Sequence, residues 1–270
     1  MILSELIPFL KNLDARPRKS LSQNFLIDPN VVKKIVLTAD IQPGDRVLEI
    51  GPGPGALTQE LLRAGAHVWA VELDPLFAKE LPRLQTSDQR LHVFHTDFLK
   101  FPLDDLAPFT PLKVVANLPY HITTPILEKL CTTTHFSSLT IMVQKEVVDR
   151  MTASSGTKEF SSFTLFLQYY CKLHKPFKVA PGCFYPRPKV DSAVIRLDLQ
   201  TPPSIDPSSF FTLTRKAFQQ RRKMLSTSLQ SLFPASILKE ALLSIGLKAE
   251  ARPEELALEK WIELHIRLFS

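Results

Sequence analysis

The chain is short of glycine and of cysteine, and each shortage narrows what it can be. Only eight glycines serve 270 residues, yet Gly51, Gly53 and Gly55 fall within five positions, marking a place where backbone freedom and close approach matter. The three cysteines, Cys131, Cys171 and Cys183, are scattered and lack any Cys-x-x-Cys spacing. That pattern argues against a disulfide framework or a zinc site and for reduced thiols in a cytosol. The histidines form no helical ligand pair; His92 and His95 fall on or beside a strand, three apart, and point to opposite faces, so no metal is expected. No apolar stretch approaches the ~18 residues that a membrane helix requires. The segment Met1 to Leu10 has no basic leader and carries Glu5 and Pro8, which predicts a short amphipathic helix, not a signal peptide. A cytoplasmic protein is expected, with no internal repeat and no low-complexity tract.

What is present is the composition of an ordinary folded protein, 44% apolar and 22% charged, long enough for one large core or for a large and a small domain. The formal charge of +6 permits a polyanionic partner without requiring one.

From about Asp45 to Leu199 short apolar runs alternate with helical patterns. Arg46–Ile50, His67–Val71, Leu91–Phe94, Lys113–Ala116, Leu139–Val143, Lys175–Val179 and Ala193–Leu197 are strand candidates. Helices are expected at Leu57–Ala64, Leu76–Leu84 and Pro125–Cys131 between the earlier ones. Near-continuous apolar strands separated by helices predict a parallel sheet covered on both faces, an α/β fold. The last two candidates, joined by loop, should form an antiparallel hairpin at one edge. After a proline-rich break at Gln200–Pro207 only helical periodicity follows: Phe210, Leu213, Thr214 and Ala217; Leu238, Leu242 and Ile245; and Leu258, Trp261, Ile262, His265 and Leu268. The expected division is a domain over 1–200 and a small all-α domain over 205–270.

The loop Glu49-Ile50-Gly51-Pro52-Gly53-Pro54-Gly55 comes after a strand and before a helix, at the carboxyl edge where α/β sheets bind ligands. A tight turn without a ligand would look similar. The spacing is G-x-G-x-G, not the G-x-G-x-x-G of dinucleotide folds, whose helix N-terminus faces a pyrophosphate. S-adenosylmethionine carries no phosphate and needs close approach more than an anion cradle. Glu72 ends the second strand, where a carboxylate can accept both ribose hydroxyls. Asp97, after the third strand, can accept from an adenine amine with Phe98 beside the ring; it is equally a cap or turn residue.

Asn117-Leu118-Pro119-Tyr120 directly follows the fourth strand candidate. The lone pair of an exocyclic adenine amine is delocalised into the ring. Two acceptors aimed at its hydrogens, the Asn117 side-chain oxygen and the Leu118 carbonyl, would favour a pyramidal, nucleophilic nitrogen. Pro119 fixes the turn and Tyr120 can stack on the base, which must leave any helical stack to enter. Phe184, on the loop Phe184–Ser192, could close on the opposite face, or could pack under that loop. Arg187 and Lys189 on this loop would meet phosphates. Arg215 to Lys223 carries five bases, Arg215, Lys216, Arg221, Arg222 and Lys223, and no acid. Such a run is a solvated helix face or, beside a nucleobase site, a phosphate contact. Arg16, Arg18, Lys19, Lys33 and Lys34 add charge near the N-terminus.

Across almost its whole length the chain resembles the ribosomal RNA adenine N6-dimethyltransferases, the family of the bacterial small-subunit, kasugamycin-related dimethylase. The resemblance rests on Ser22-Gln23-Asn24-Phe25-Leu26, Glu49–Thr58, Glu72-Leu73-Asp74, Asn117–Tyr120, Gln144-Lys145-Glu146-Val147, Phe184–Ser192 and Phe218–Leu225. It implies a Rossmann-like class I methyltransferase core with a small helical C-terminal domain. It also implies that Asn24 and Leu26 cover S-adenosylmethionine while Gly51, Glu72, Asp97 and Asn117 contact it from below, with Gly53 in the same loop. The implied substrate is two adjacent adenines in a hairpin near the 3′ end of small-subunit rRNA, each dimethylated, by a monomer without metal. A large-subunit resistance methylase and an RNA-binding assembly factor with vestigial activity are the alternatives, with a nicotinamide dehydrogenase more distant. Ser22 stands where the family carries glycine; a positive φ there would strain serine.

Overall fold

A computed structural model of the protein describes residues 1–18, 21 and 23–269. Lys19 and Ser22, both named above, lie outside the described residues. The strands are β1 (Phe25–Leu26), β2 (Arg46–Ile50), β3 (His67–Glu72), β4 (Leu91–His95), β5 (Leu112–Asn117), β6 (Phe136–Gln144), β7 (Cys171–Leu173), β8 (Phe177–Val179), β9 (Phe184–Tyr185) and β10 (Ser192–Leu199). Among the described residues one sheet runs in the order β4-β3-β2-β5-β6-β10-β7, with β8 also paired to β10. β4, β3, β2, β5 and β6 are mutually parallel, while β10 joins β6 and β8 antiparallel. Val47, Leu48, Val68, Val114 and Val115 are fully buried, as strands covered on both faces require.

The expected antiparallel pair is present as β8 and β10, but two features differ. β10 lies between β6 and β8, inside the sheet. The connection is also more than loop, because it contains β9, which pairs with β1 in the register Phe25↔Tyr185 and Leu26↔Phe184. Two-residue strands have no periodicity for a sequence to display.

The helices are α1 (Leu3–Asn12), α2 (Pro29–Thr38), α3 (Ala56–Arg63), α4 (Pro75–Glu80), α5 (Thr123–Cys131), α6 (Lys145–Met151), α7 (Ser162–Tyr170), α8 (Pro207–Gln219), α9 (Leu225–Ser228), α10 (Ala235–Ser244) and α11 (Leu258–Phe269). α2 and α4 both begin with an aspartate N-cap followed by proline: Asp28 accepts from the Asn30 and Val31 N–H groups, and Asp74 from Leu76 N–H. Val32, Ile35 and Val36 of α2 and Leu57, Leu61 and Leu62 of α3 share a buried cluster with Val47, Val68 and Val115 of the sheet. α1 buries Leu6 and Leu10 against Phe25 and Phe77.

The chain divides into two compact units, Met1–Val148 with Leu173–Leu199, and Asp149–Lys172 with Gln200–Ser270. The segment Asp149–Lys172 thus belongs with the C-terminal helices and not, as the sequence pattern predicts, with the first domain. α7 explains this: it buries six of its nine residues and so needs neighbours all round. Its Tyr169 stacks on Phe210 at 5.2 Å and its Phe166 meets Phe211 at 5.3 Å, both from α8. Within the same unit α8 buries Phe210, Leu213, Thr214 and Ala217, as their spacing predicts.

Candidate active site

In chain order the sheet grows from β2 through β3 to β4, then restarts on the other side of β2 with β5. A crevice opens at the carboxyl ends where the order reverses, the position at which open α/β sheets bind ligands. One cavity there is lined by Gly51, Gly53, Glu72, Asp97, Phe98, Asn117, Leu118 and Tyr120, together with Asn24 and Leu26 of the N-terminal segment. Four strand ends of the large sheet and the segment around β1, which pairs separately with β9, therefore bring together residues that lie far apart in the sequence.

The glycine loop is shaped by the groups around it. Gly53 has φ +54°, and a side chain there would begin 3.3 Å from the Phe25 ring. Gly55 has φ +86°, and its Cβ would lie 2.5 Å from the Leu84 side chain and 3.1 Å from that of Leu81, so any other residue would be strained in the backbone and would press on the turn after α4. The Glu72 carboxylate ties this loop to the end of β3: Oε2 accepts from Gly53 N–H at 2.8 Å and Oε1 from Asp74 N–H at 2.7 Å. Burial raises its pKa, and these two N–H groups oppose the rise.

Asp97 uses one oxygen to accept from Leu99 N–H at 2.9 Å, capping the short turn Phe98–Lys100. It is a turn residue and a cavity-lining residue at once. Asn117 donates from Nδ2 to the Asn24 backbone carbonyl at 3.2 Å. A carbonyl only accepts, so the nitrogen must face Asn24, and the side-chain oxygen is left to face elsewhere. Leu118 N–H donates to Met142 O at 3.0 Å, which fixes the peptide after Asn117. The Tyr120 hydroxyl is 2.8 Å from the Ser192 hydroxyl at the start of β10, which pins its ring.

Phe184 is placed differently from the catalytic expectation. It is 3% exposed, belongs to the sheet's apolar cluster with Leu26, and does not line the cavity. Its backbone pairs with Leu26, so it supports the strand that borders the site, and its side chain is buried in that apolar cluster, where removal from water stabilises it. Arg187 and Lys189 are exposed on that loop, and Arg215, Arg222 and Lys223 are exposed on the helical unit. Arg221 is half-buried, donating to the carbonyls of Lys158 at 2.6 Å and Thr157 at 3.4 Å.

Sequence reasoning assigns no role to Glu49, although a carboxylate inside the apolar run Val47–Ile50 is the available signal. Glu49 is 1% exposed, lines the cavity, and its Oε2 has no hydrogen-bond partner. Burial pushes its pKa up to about 8, with the Glu72 charge adding to the rise and Thr58 opposing it. Asp74 is a latch that the sequence does not reveal. It accepts from Gln23 Nε2 at 2.9 Å and lies 3.7 Å from Arg18 Nε, while Gln23 Oε1 accepts from Arg18 N–H at 2.8 Å. The N-terminal segment is thereby fastened across the end of β3.

The Glu49 shift gives a signed prediction. A carboxyl near 8 in the fold and 4.5 when unfolded binds more protons folded across that window. Its contribution to stability is full below 4.5 and is lost as pH rises through about 8. Glu49→Gln is expected to flatten the fall in melting temperature between about pH 6 and 8; thermal scans across that range check it.

The cavity suits a nucleoside that bears positive charge and no phosphate. Two buried carboxyl groups sit beside the loop, one oxygen lacks a partner so that a cation would favour its ionised form, and no lysine or arginine is among the described lining residues. The sheet order and this cavity define a Rossmann-like class I methyltransferase. Two solved structures share its fold: a dimethyladenosine transferase from Plasmodium falciparum and the 23S rRNA methyltransferase ErmE. The first is 26% identical with a TM-score of 0.75, covering 89% of this chain and 95% of that one. The second is 28% identical with a TM-score of 0.72, covering 92% and 100%. The family model described as ribosomal RNA adenine dimethylase matches residues 15–268. The Ribosomal RNA small subunit methyltransferase A of Protochlamydia amoebophila is 52% identical over 99% of this chain and 96% of its own length. Its namesake in Chlamydia muridarum is 43% identical over 97% and 96%. The chain belongs to the ribosomal RNA adenine dimethylase family, and its methyl donor is S-adenosylmethionine.

Proposed function

We propose that this enzyme dimethylates the N6 amines of two adjacent adenines in a hairpin near the 3′ end of small-subunit rRNA, acting as a monomer in the cytoplasm during subunit maturation. The names of its closely similar relatives support the choice of subunit. The observation that carries the chemistry is the anchored Asn117 amide, whose nitrogen is held by the Asn24 carbonyl.

In this reading Asn117 Oδ1 and the Leu118 carbonyl accept the two N6 hydrogens, turning the nitrogen's lone pair out of the ring. Tyr120, fixed by Ser192, supports one face of the base. Glu72 accepts the ribose hydroxyls, and Asp97 with Phe98 reads the cofactor's adenine. Glu49 faces the cationic end, where its unpartnered oxygen gains a counter-charge. Asn24 and Leu26 cover the ligand. The bound cofactor supplies an electrophilic methyl on a sulfonium; the chain orients the amine toward it and leaves the displaced amine proton to solvent. No step needs a covalent enzyme intermediate.

Arg187, Lys189, Arg215, Arg222 and Lys223 contact RNA phosphates, and the small helical unit carries the last three. Arg221 shares that role while holding the Thr157–Lys158 carbonyls. Arg222→Glu with Lys223→Glu spares that hydrogen bonding. It is expected to weaken RNA binding and flatten the salt dependence by ~0.7–0.9 in log–log slope for each phosphate that is no longer neutralised. Binding titrations at several salt concentrations test this; an unchanged slope counts against it. The function as a whole is tested by transfer of labelled methyl groups to undermethylated small subunits. Label appearing only on large subunits would favour a resistance methylase, and none on either would favour an assembly factor.

A further inference from the structure

Lys129 lies on α5, which follows directly from the Asn117–Tyr120 segment, yet its side chain serves a different motif. Nζ donates to the carbonyls of Phe98 at 3.0 Å, Leu99 at 2.9 Å and Phe101 at 2.6 Å. An ammonium has three hydrogens, so all three are committed to one turn. Nζ also sits 5.2 Å from the centre of the Phe98 ring. Phe98 and Phe101 are buried, so the turn is held from below by packing and from the side by this cation. Burial pulls the lysine pKa down, and Asp97 pushes it back up.

That turn carries the two residues assigned above to the cofactor's adenine. Its backbone has little else to define it: a three-residue 3₁₀ segment capped by Asp97, with Lys100 and Phe101 N–H groups closing onto Asp97 and Phe98 carbonyls. Short 3₁₀ turns hold their geometry poorly alone. We infer that Lys129 is the positioning residue that sets the Asp97–Phe98 turn for adenine, and so tunes recognition of the cofactor's 6-amine from the helix that follows the catalytic segment. This rests on the reading of Asp97 as the acceptor for that amine. Lys129 touches no reactant.

The test compares binding of S-adenosylhomocysteine with its inosine counterpart, in which an oxygen replaces the 6-amine, by calorimetry on the full chain. Wild type is expected to prefer the amine form, and Asp97→Asn to lose that preference. Lys129→Met, which keeps the stem and removes the ammonium, is expected to cut the preference about tenfold, and Lys129→Arg to restore part of it. In turnover, Lys129→Met should raise KM for the cofactor with kcat at saturation within about twofold of wild type.

Equal weakening of both ligands by Lys129→Met would mean general loosening and would overturn the inference, as would an unchanged preference. Should Lys129→Met fail to fold, Lys129→Gln carries the same comparison with the same outcomes. If Asp97→Asn keeps the full preference, the reading of Asp97 fails as well, which separates the two failures.

Discussion

Asn117→Ala is expected to lower the rate of methyl transfer by about 10²–10³-fold, the usual loss when one preorganised partner of a reacting group is removed. The size follows from the proposed mechanism, in which orientation of the amine and withdrawal of its hydrogens carry most of the acceleration. Asn117 is well suited to both because its nitrogen is anchored on Asn24 O at 3.2 Å, leaving the oxygen directed by a fixed plane. Asn117→Asp should be nearly as damaging. It supplies an acceptor but puts a carboxylate oxygen against the Asn24 carbonyl, and the two repel. Single-turnover transfer at saturating cofactor is the right readout, because it separates the chemical step from binding. A rate within about threefold of wild type would remove the basis for the proposed roles of the segment.

The second large effect belongs to Glu72. Both of its oxygens accept from backbone N–H groups on different elements, Gly53 on the loop and Asp74 beyond the strand. Glu72→Gln keeps the volume but replaces one acceptor with an NH2 group, setting donor against donor at a site only 5% exposed. Each N–H left unsatisfied costs about 1–3 kcal/mol, and the same substitution is expected to weaken the proposed ribose contact. The expected result is at least a roughly hundredfold rise in the cofactor's Kd and a lower melting temperature. Glu72→Asp should not rescue, because the shorter side chain cannot span both N–H groups. Calorimetric binding together with a thermal scan checks both parts, and a Kd within about fivefold of wild type would contradict the account.

The parallel sheet was legible because strands buried on both faces show as plain apolar runs, as in Lys113–Ala116 and Leu139–Val143. The cavity residues were legible because each follows the end of such a run: the glycine loop after β2, Glu72 at the end of β3, Asp97 after β4, Asn117 at the end of β5. Residues whose roles depend on partners far away in sequence were not. Leu26 and Phe184 are remote from each other along the chain, and only the pairing of β1 with β9 shows that Phe184 lies beside the segment bordering the site. α7 escapes sequence reading because its sequence SFTLFLQYY has no polar face to set a period, and its place with the C-terminal helices is decided by ring contacts with α8. Glu49 reads as part of a glycine motif. Its weight comes from burial and from an oxygen without a partner, neither of which one sequence displays.

The most direct test is mass spectrometry of nuclease fragments of small-subunit rRNA from cells lacking this protein, before and after incubation of the subunits with the enzyme and S-adenosylmethionine. The account predicts that one fragment near the 3′ end gains two methyl groups on each of two neighbouring adenines, and that Asn117→Ala leaves it unmodified. Fragments that gain no mass, or methyl groups found on another base or on large-subunit RNA, would contradict it.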